Sequence, residues 1–91
     1  MSTRVFTTRR GRITLLDETL VYEQRLNQLW RVSHRVRSVA RTDILEIHFV
    51  THVQRFAPAW IEVIVLHQGG VLNIPHVPPR AADALKVALG V

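Results

Sequence analysis

The chain has 91 residues, 47% of them hydrophobic, no cysteine and a formal charge of +5. That length builds one domain around one modest core and is too short for an ordinary two-domain enzyme, while the composition excludes a disordered chain, a disulfide scaffold and thiol chemistry. No run approaches the roughly 18 to 20 apolar residues of a membrane span, and MSTRVFTTRR lacks the apolar stretch of an export signal, so a cytoplasmic protein is expected.

Alternation at period two dominates the chain. TRVFTT reads as an additional strand before the basic RRGR, an assignment the pattern leaves open, and RITLL and TLVYEQ flank DET, a tight turn. In WRVSHRV, Trp30, Val32, His34 and Val36 fall on one face and Arg31, Ser33, Arg35 and Arg37 on the other. The first set is expected in the core and the second in solvent. The phase slips near Ser38 and Val39, which predicts a bulge or bend before RTD; Leu45, Ile47, Phe49, Thr51 and Val53 then form the inward face of a further strand. Proline interrupts at FAPA, WIEVIVLH is apolar on both faces, HQGG is a turn and VLNIPHV is one more short strand.

Only the last segment has helical spacing. In PPRAADALKVALG, Pro79 suits the first turn, Ala81, Ala82, Leu85, Ala88 and Leu89 make an apolar stripe, and Gly90 suits the position past the helix end. The expected core is Ile13, Leu15, Leu20, Tyr22, Val32, Val36, Leu45, Ile47, Phe49, Ile61, Val63, Val65, Leu72, Ile74, Leu85 and Leu89. No repeat, linker or boundary divides the chain, so residues 1–91 form one domain with its core over about 10–90.

Charge is unevenly placed. Residues 1–42 hold nine arginines against three acids, a surplus of +6, whereas the remainder carries −1. Eleven of the twelve basic residues are arginine, the side chain that bonds carboxylate and phosphate bidentately. Arg31, Arg35 and Arg37 share one strand face, on which positions two apart, such as Arg35 and Arg37, stand about 6 to 7 Å from each other. They form the candidate binding ribbon, with Arg9, Arg10 and Arg12 as its extension.

Catalytic chemistry finds no constellation. His48 and His52 share a strand face but stand about 13 Å apart, too far to chelate one metal, and His34, His67 and His76 are scattered. Ser2, Ser33 and Ser38 sit in no nucleophile elbow, and HQGGVLNI is followed by a strand, which makes it a hairpin turn and not a phosphate loop. No enzyme activity, cofactor or metal is expected.

The segments GRITLLDETLVYEQ, HRVRSVARTDILEIHFV, WIEVIVLHQGGVLNI and VPPRAADALKVAL together resemble bacterial members of the pleckstrin-homology-like (PH-like) superfamily. The likeness covers residues 10–90 and rests on hydrophobic spacing and on ARTDI, which is similar to that family's Ala-x-x-Asp-Ile turn. It implies a mainly β fold with one C-terminal α-helix: a partly open barrel of six or seven antiparallel strands in two nearly orthogonal sheets, capped by the helix. Family members that bind phosphoinositide headgroups use a basic residue followed by basic-x-basic near the first loop, a loose match to Arg4 with Arg10-Gly11-Arg12 if TRVFTT is the first strand. If GRITLL is first, the loop is Asp17-Glu18-Thr19, which repels phosphate.

The function expected is therefore a non-catalytic interaction module that binds an acidic protein partner, self-assembles as a homo-oligomer, or does both. Self-assembly draws on Trp60, Ile64 and Leu66, apolar residues opposite the core-facing Ile61, Val63 and Val65. Nucleic acid is the alternative partner, and membrane lipid or another anionic headgroup ranks last.

Overall fold

The computed structural model describes residues 3–28 and 31–90. Among these residues seven strands precede one helix: β1 (Arg4–Thr8), β2 (Gly11–Leu15), β3 (Thr19–Gln28), β4 (Arg31–Ala40), β5 (Ile44–His52), β6 (Trp60–His67), β7 (Gly70–Val77) and α1 (Pro79–Leu89). A single 3-10 turn, Arg41–Asp43, links β4 to β5. The strands form a four-stranded sheet in the order β1-β2-β3-β4 and a three-stranded sheet in the order β5-β6-β7, all neighbours antiparallel. The two sheets do not close on each other, so the fold is mainly β and a partly open barrel. TRVFTT is thus the first strand.

The core lies between the sheets. Ile13, Leu20, Val63, Val65, Ile74, Val77 and Leu85 are its fully buried members, with Phe6, Tyr22, Val39 and Ala82 around them. Burying such side chains stabilises by roughly 1.5 to 3 kcal/mol each. The helix supplies Ala82 and Leu85 from one stripe, begins with Pro79 and ends at Gly90, whose φ of 74° is the left-handed cap that glycine adopts freely.

Gly11 has a different reason to be glycine. A Cβ there would meet the Glu23 carbonyl oxygen at 2.0 Å, so only a residue without a side chain lets β2 and β3 approach where Arg25 N–H also donates to Arg10 O at 2.7 Å.

Three expected core residues lie outside it: Val32, Val36 and Leu45 are 47%, 60% and 64% exposed. Two errors of phase explain them. The anticipated slip at Ser38 and Val39 is absent, because β4 pairs with β3 without interruption from Thr19↔Ala40 to Gln28↔Arg31. Val39, opposite buried Leu20, is the inward residue, and its parity continues to Arg37 and Arg35, turning Val36 and Val32 to the other face. The slip occurs instead in β5, where the register shifts between Ile44 and Glu46 and leaves Leu45 as the bulged residue. Beyond it Ile47 and Phe49 lie opposite Val65 and Val63 and pack half-buried on the core, but Thr51 is exposed and Val53 lies past the strand's end. The inward position expected for Trp30 falls outside the described residues.

Candidate binding cleft

Register decides where the arginines go. Tyr22 pairs with Arg37 and Gln24 with Arg35, so both arginines project from the same sheet face as the buried Tyr22. They nevertheless remain exposed, on β4, which has a neighbour on one side only; past Gly11↔Gln24, β3 and β4 continue as a two-stranded ribbon. Across from Arg35 and Arg37 runs β7. The result is a cleft of about 420 Å³ lined by Tyr22, Gln24, Arg35 and Arg37 on one side and Val71, Leu72 and Asn73 on the other.

Its chemistry is that of an anion site with an apolar floor. Among the described residues no carboxylate pairs with Arg35 or Arg37. Burial pushes the Tyr22 phenol up from its ordinary pKa, which keeps it protonated. Asn73 extends its amide to Glu62 Oε2 at 3.2 Å, so that acid is already occupied. Glu62 also accepts from or meets His52 Nε2 at 3.1 Å.

The six arginines singled out from the sequence are divided among several places. Arg35 and Arg37 line the cleft, whereas Arg31 lies exposed farther along the ribbon, opposite Gln28. Arg12 is on the opposite sheet face, bonded to Glu23 at 3.0 Å. Arg9 and Arg10 form the β1–β2 turn. Arg4 pairs with Leu15 at the far end of that hairpin, about 13 Å along the strand from the turn, so Arg4, Arg10 and Arg12 do not converge on one headgroup. Gln24, Tyr22, Val71 and Asn73 carry no chemical signature in the sequence, and only the β3–β4 register and the passage of β7 bring them in.

A second groove, of about 400 Å³, lies between the β1–β2 turn and the end of β7, with Arg9, Pro58, Trp60, His76, Pro78 and Pro79 among its lining. Here β7 takes three steps from Ile74 to Val77 while β6 takes two from Val63 to Ile61, a bulge at Pro75 and His76. His76 adopts φ 57°, a left-handed conformation that a non-glycine residue holds only when its surroundings impose it. Two contacts impose it: the His76 carbonyl accepts from Arg9 N–H at 3.2 Å, and its ring meets Trp60 at 4.4 Å. His52 stacks on Trp60 at 4.1 Å. Desolvation, helped by Arg10, Arg9 and His52, lowers the His76 pKa. The Trp60 Nε1 donor is buried without a hydrogen-bond partner.

His48 and His52 do share a face but serve separate carboxylates, His48 lying 3.0 Å from Glu46 Oε2. Among the described residues no three His, Cys, Asp or Glu side chains gather in a way that could hold a metal ion, and no helix is long and apolar enough to cross a membrane. Compared with protein-family models, curated proteins and solved structures, the chain matches none.

Proposed function

We propose that the chain is a non-catalytic, PH-like interaction module whose arginine-lined cleft binds an acidic segment of a protein partner. The order of four strands, three strands and a terminal helix supports the PH-like assignment. The observation that carries the binding reading is the pair Arg35 and Arg37, which face a walled cleft beside Gln24 and Asn73 with no carboxylate among the described residues to neutralise them. Guanidinium forks bond carboxylates bidentately, and a partly walled site weakens solvent screening relative to an open surface. A chain without cysteine suits a reducing compartment, and a cytoplasmic site of action is part of the proposal.

The test is titration of a labelled glutamate-rich peptide into the protein and into the Arg35→Glu/Arg37→Glu variant at two salt concentrations. Loss of two charge-assisted contacts is expected to weaken binding about 100-fold, or roughly 2.8 kcal/mol. The charge-matched control Arg55→Glu/Arg80→Glu is expected to bind like the parent, since neither residue lines the cleft. A folded double cleft variant that binds as well as the parent overturns the reading. Duplex DNA run in parallel separates the other partner class: arginine-dependent DNA binding that weakens steeply with salt, with the peptide ignored, makes the ribbon a phosphate-binding surface.

A second reading, self-association, has its own observation. On the outer face of the three-stranded sheet, Val50 and Val71 are exposed and Ile64 and Leu66 half-buried, while the helix places Ala82 and Leu85 in the core. Leu66 and Val71 are paired neighbours there, and exposed apolar surface favours association. Light scattering decides it, and a monomer at high concentration overturns it.

A further inference from the structure

The cleft has a backbone component that its charges do not reveal. β7 is the last strand of its sheet, hydrogen-bonded to β6 on one side only. In an antiparallel pair, alternate residues turn their N–H and C=O groups away from the partner strand, so an edge strand presents a row of unpaired donors and acceptors. Val71, Leu72 and Asn73 line the cleft, which places that row along its wall. The free stretch has a defined end: Pro75 has no N–H to donate, and past it Arg9 N–H already occupies the His76 carbonyl.

Natural sheets guard such edges with charged side chains or bulges. From Gly70 to Ile74 β7 reads GVLNI, without a charged residue, and its bulge lies only at the far end. What faces the unguarded edge is the pair Arg35 and Arg37 on the opposite wall. Those arginines select the occupant. Two copies joined edge to edge through β7 would bring four guanidinium groups to one seam, a repulsive arrangement, whereas a strand bearing carboxylates is attracted.

We propose that the acidic segment binds as an added strand on the free edge of β7, with its backbone bonded to β7 and carboxylates at alternate positions turned to Arg35 and Arg37. This rests on the reading that the cleft binds an acidic segment and supplies the mode. Arg35 and Arg37 are two residues apart on one strand, hence about 6 to 7 Å, and carboxylates at positions i and i+2 of an extended peptide have the same spacing. The recognised pattern is therefore acidic, apolar or small, acidic, in extended conformation and free of proline over the paired stretch. Main-chain bonds contribute affinity, and the alternate pockets contribute sequence preference.

The experiment uses the whole chain and four octapeptides: one alternating glutamate with valine, one of the same composition with its glutamates contiguous, and two copies of the alternating peptide N-methylated at every second backbone nitrogen, one in each register. The alternating peptide is expected to bind best, with the contiguous and at least one methylated form about tenfold weaker or worse. The amide protons of β7 are expected to gain exchange protection on binding. Equal binding of both methylated forms, with Arg35→Glu/Arg37→Glu still abolishing it, overturns strand addition and leaves acidic-segment binding standing. Binding of the alternating peptide that ignores the double variant, or no binding of any acidic peptide at millimolar concentration, overturns both.

Discussion

β4 and β6 carry the same alternation and meet opposite fates. β6 lies between β5 and β7, and its Val63 and Val65 are fully buried; β4 is an edge strand, and its Val32 and Val36 are exposed. The contrast teaches that alternation establishes two faces without establishing which is covered. For β6 the answer is the odd-numbered face, set by pairing with strands on both sides. For β4 it is set by a single neighbour, β3, and beyond Tyr22 that neighbour itself leaves the core, so arginine occupies the inward positions without being buried.

Truncation breaks or upholds this contrast most forcefully. Ile74→Ala, at a fully buried position opposite Val63, is expected to cost about 2 to 5 kcal/mol, whereas Val36→Ala should stay within about 0.5 kcal/mol in urea denaturation. A large loss at Val36 would mean that something covers the outer face of the ribbon, such as a second copy. Next in size is Gly11→Ala, which forces a Cβ against the Glu23 carbonyl and is expected to cost about 1 to 3 kcal/mol, read as a lower denaturation midpoint. An unchanged midpoint would show that β2 can move off β3, and with it the edge of the ribbon.

The smallest effect concerns the end of β7. A folded-state His76 pKa below its ordinary value means that the unfolded chain binds more protons, so this contribution to stability is present above about pH 6.5 and is lost as pH falls through that value toward the folded pKa. The chain is therefore expected to lose stability on going from neutral pH to pH 5, and His76→Asn, which tolerates the left-handed backbone but does not titrate, is expected to flatten that decline. Parallel urea titrations of both proteins check it. An identical pH slope would assign the decline to groups other than His76.

Arg12 and Arg37 show how much of the cleft was legible. In the sequence they are equivalent members of one basic surplus, yet Arg12 falls beside Glu23 on the outer face and Arg37 opposite Tyr22 on the inner one. Nothing local distinguishes them. The histidines behave otherwise: the spacing of His48 and His52 along a strand already separates them, and each has its own carboxylate partner in the fold.

By itself the sequence determined whatever depends on near neighbours along the chain. Period-two patterning marked the strands, proline and glycine marked their ends, and Pro79, the Ala82–Leu85 stripe and Gly90 together marked the helix, because backbone geometry and side-chain spacing act over a few residues. Only the tertiary structure decided which face of β4 turns inward, where the chain bulges, and that Arg35 and Arg37 stand across a cleft from Val71 and Asn73. Those outcomes depend on register between strands, and a shift of one residue turns every side chain of a strand to its other face. The register of β4 comes from burying Val39 beside Leu20, a contact between residues far apart in sequence that no local pattern encodes.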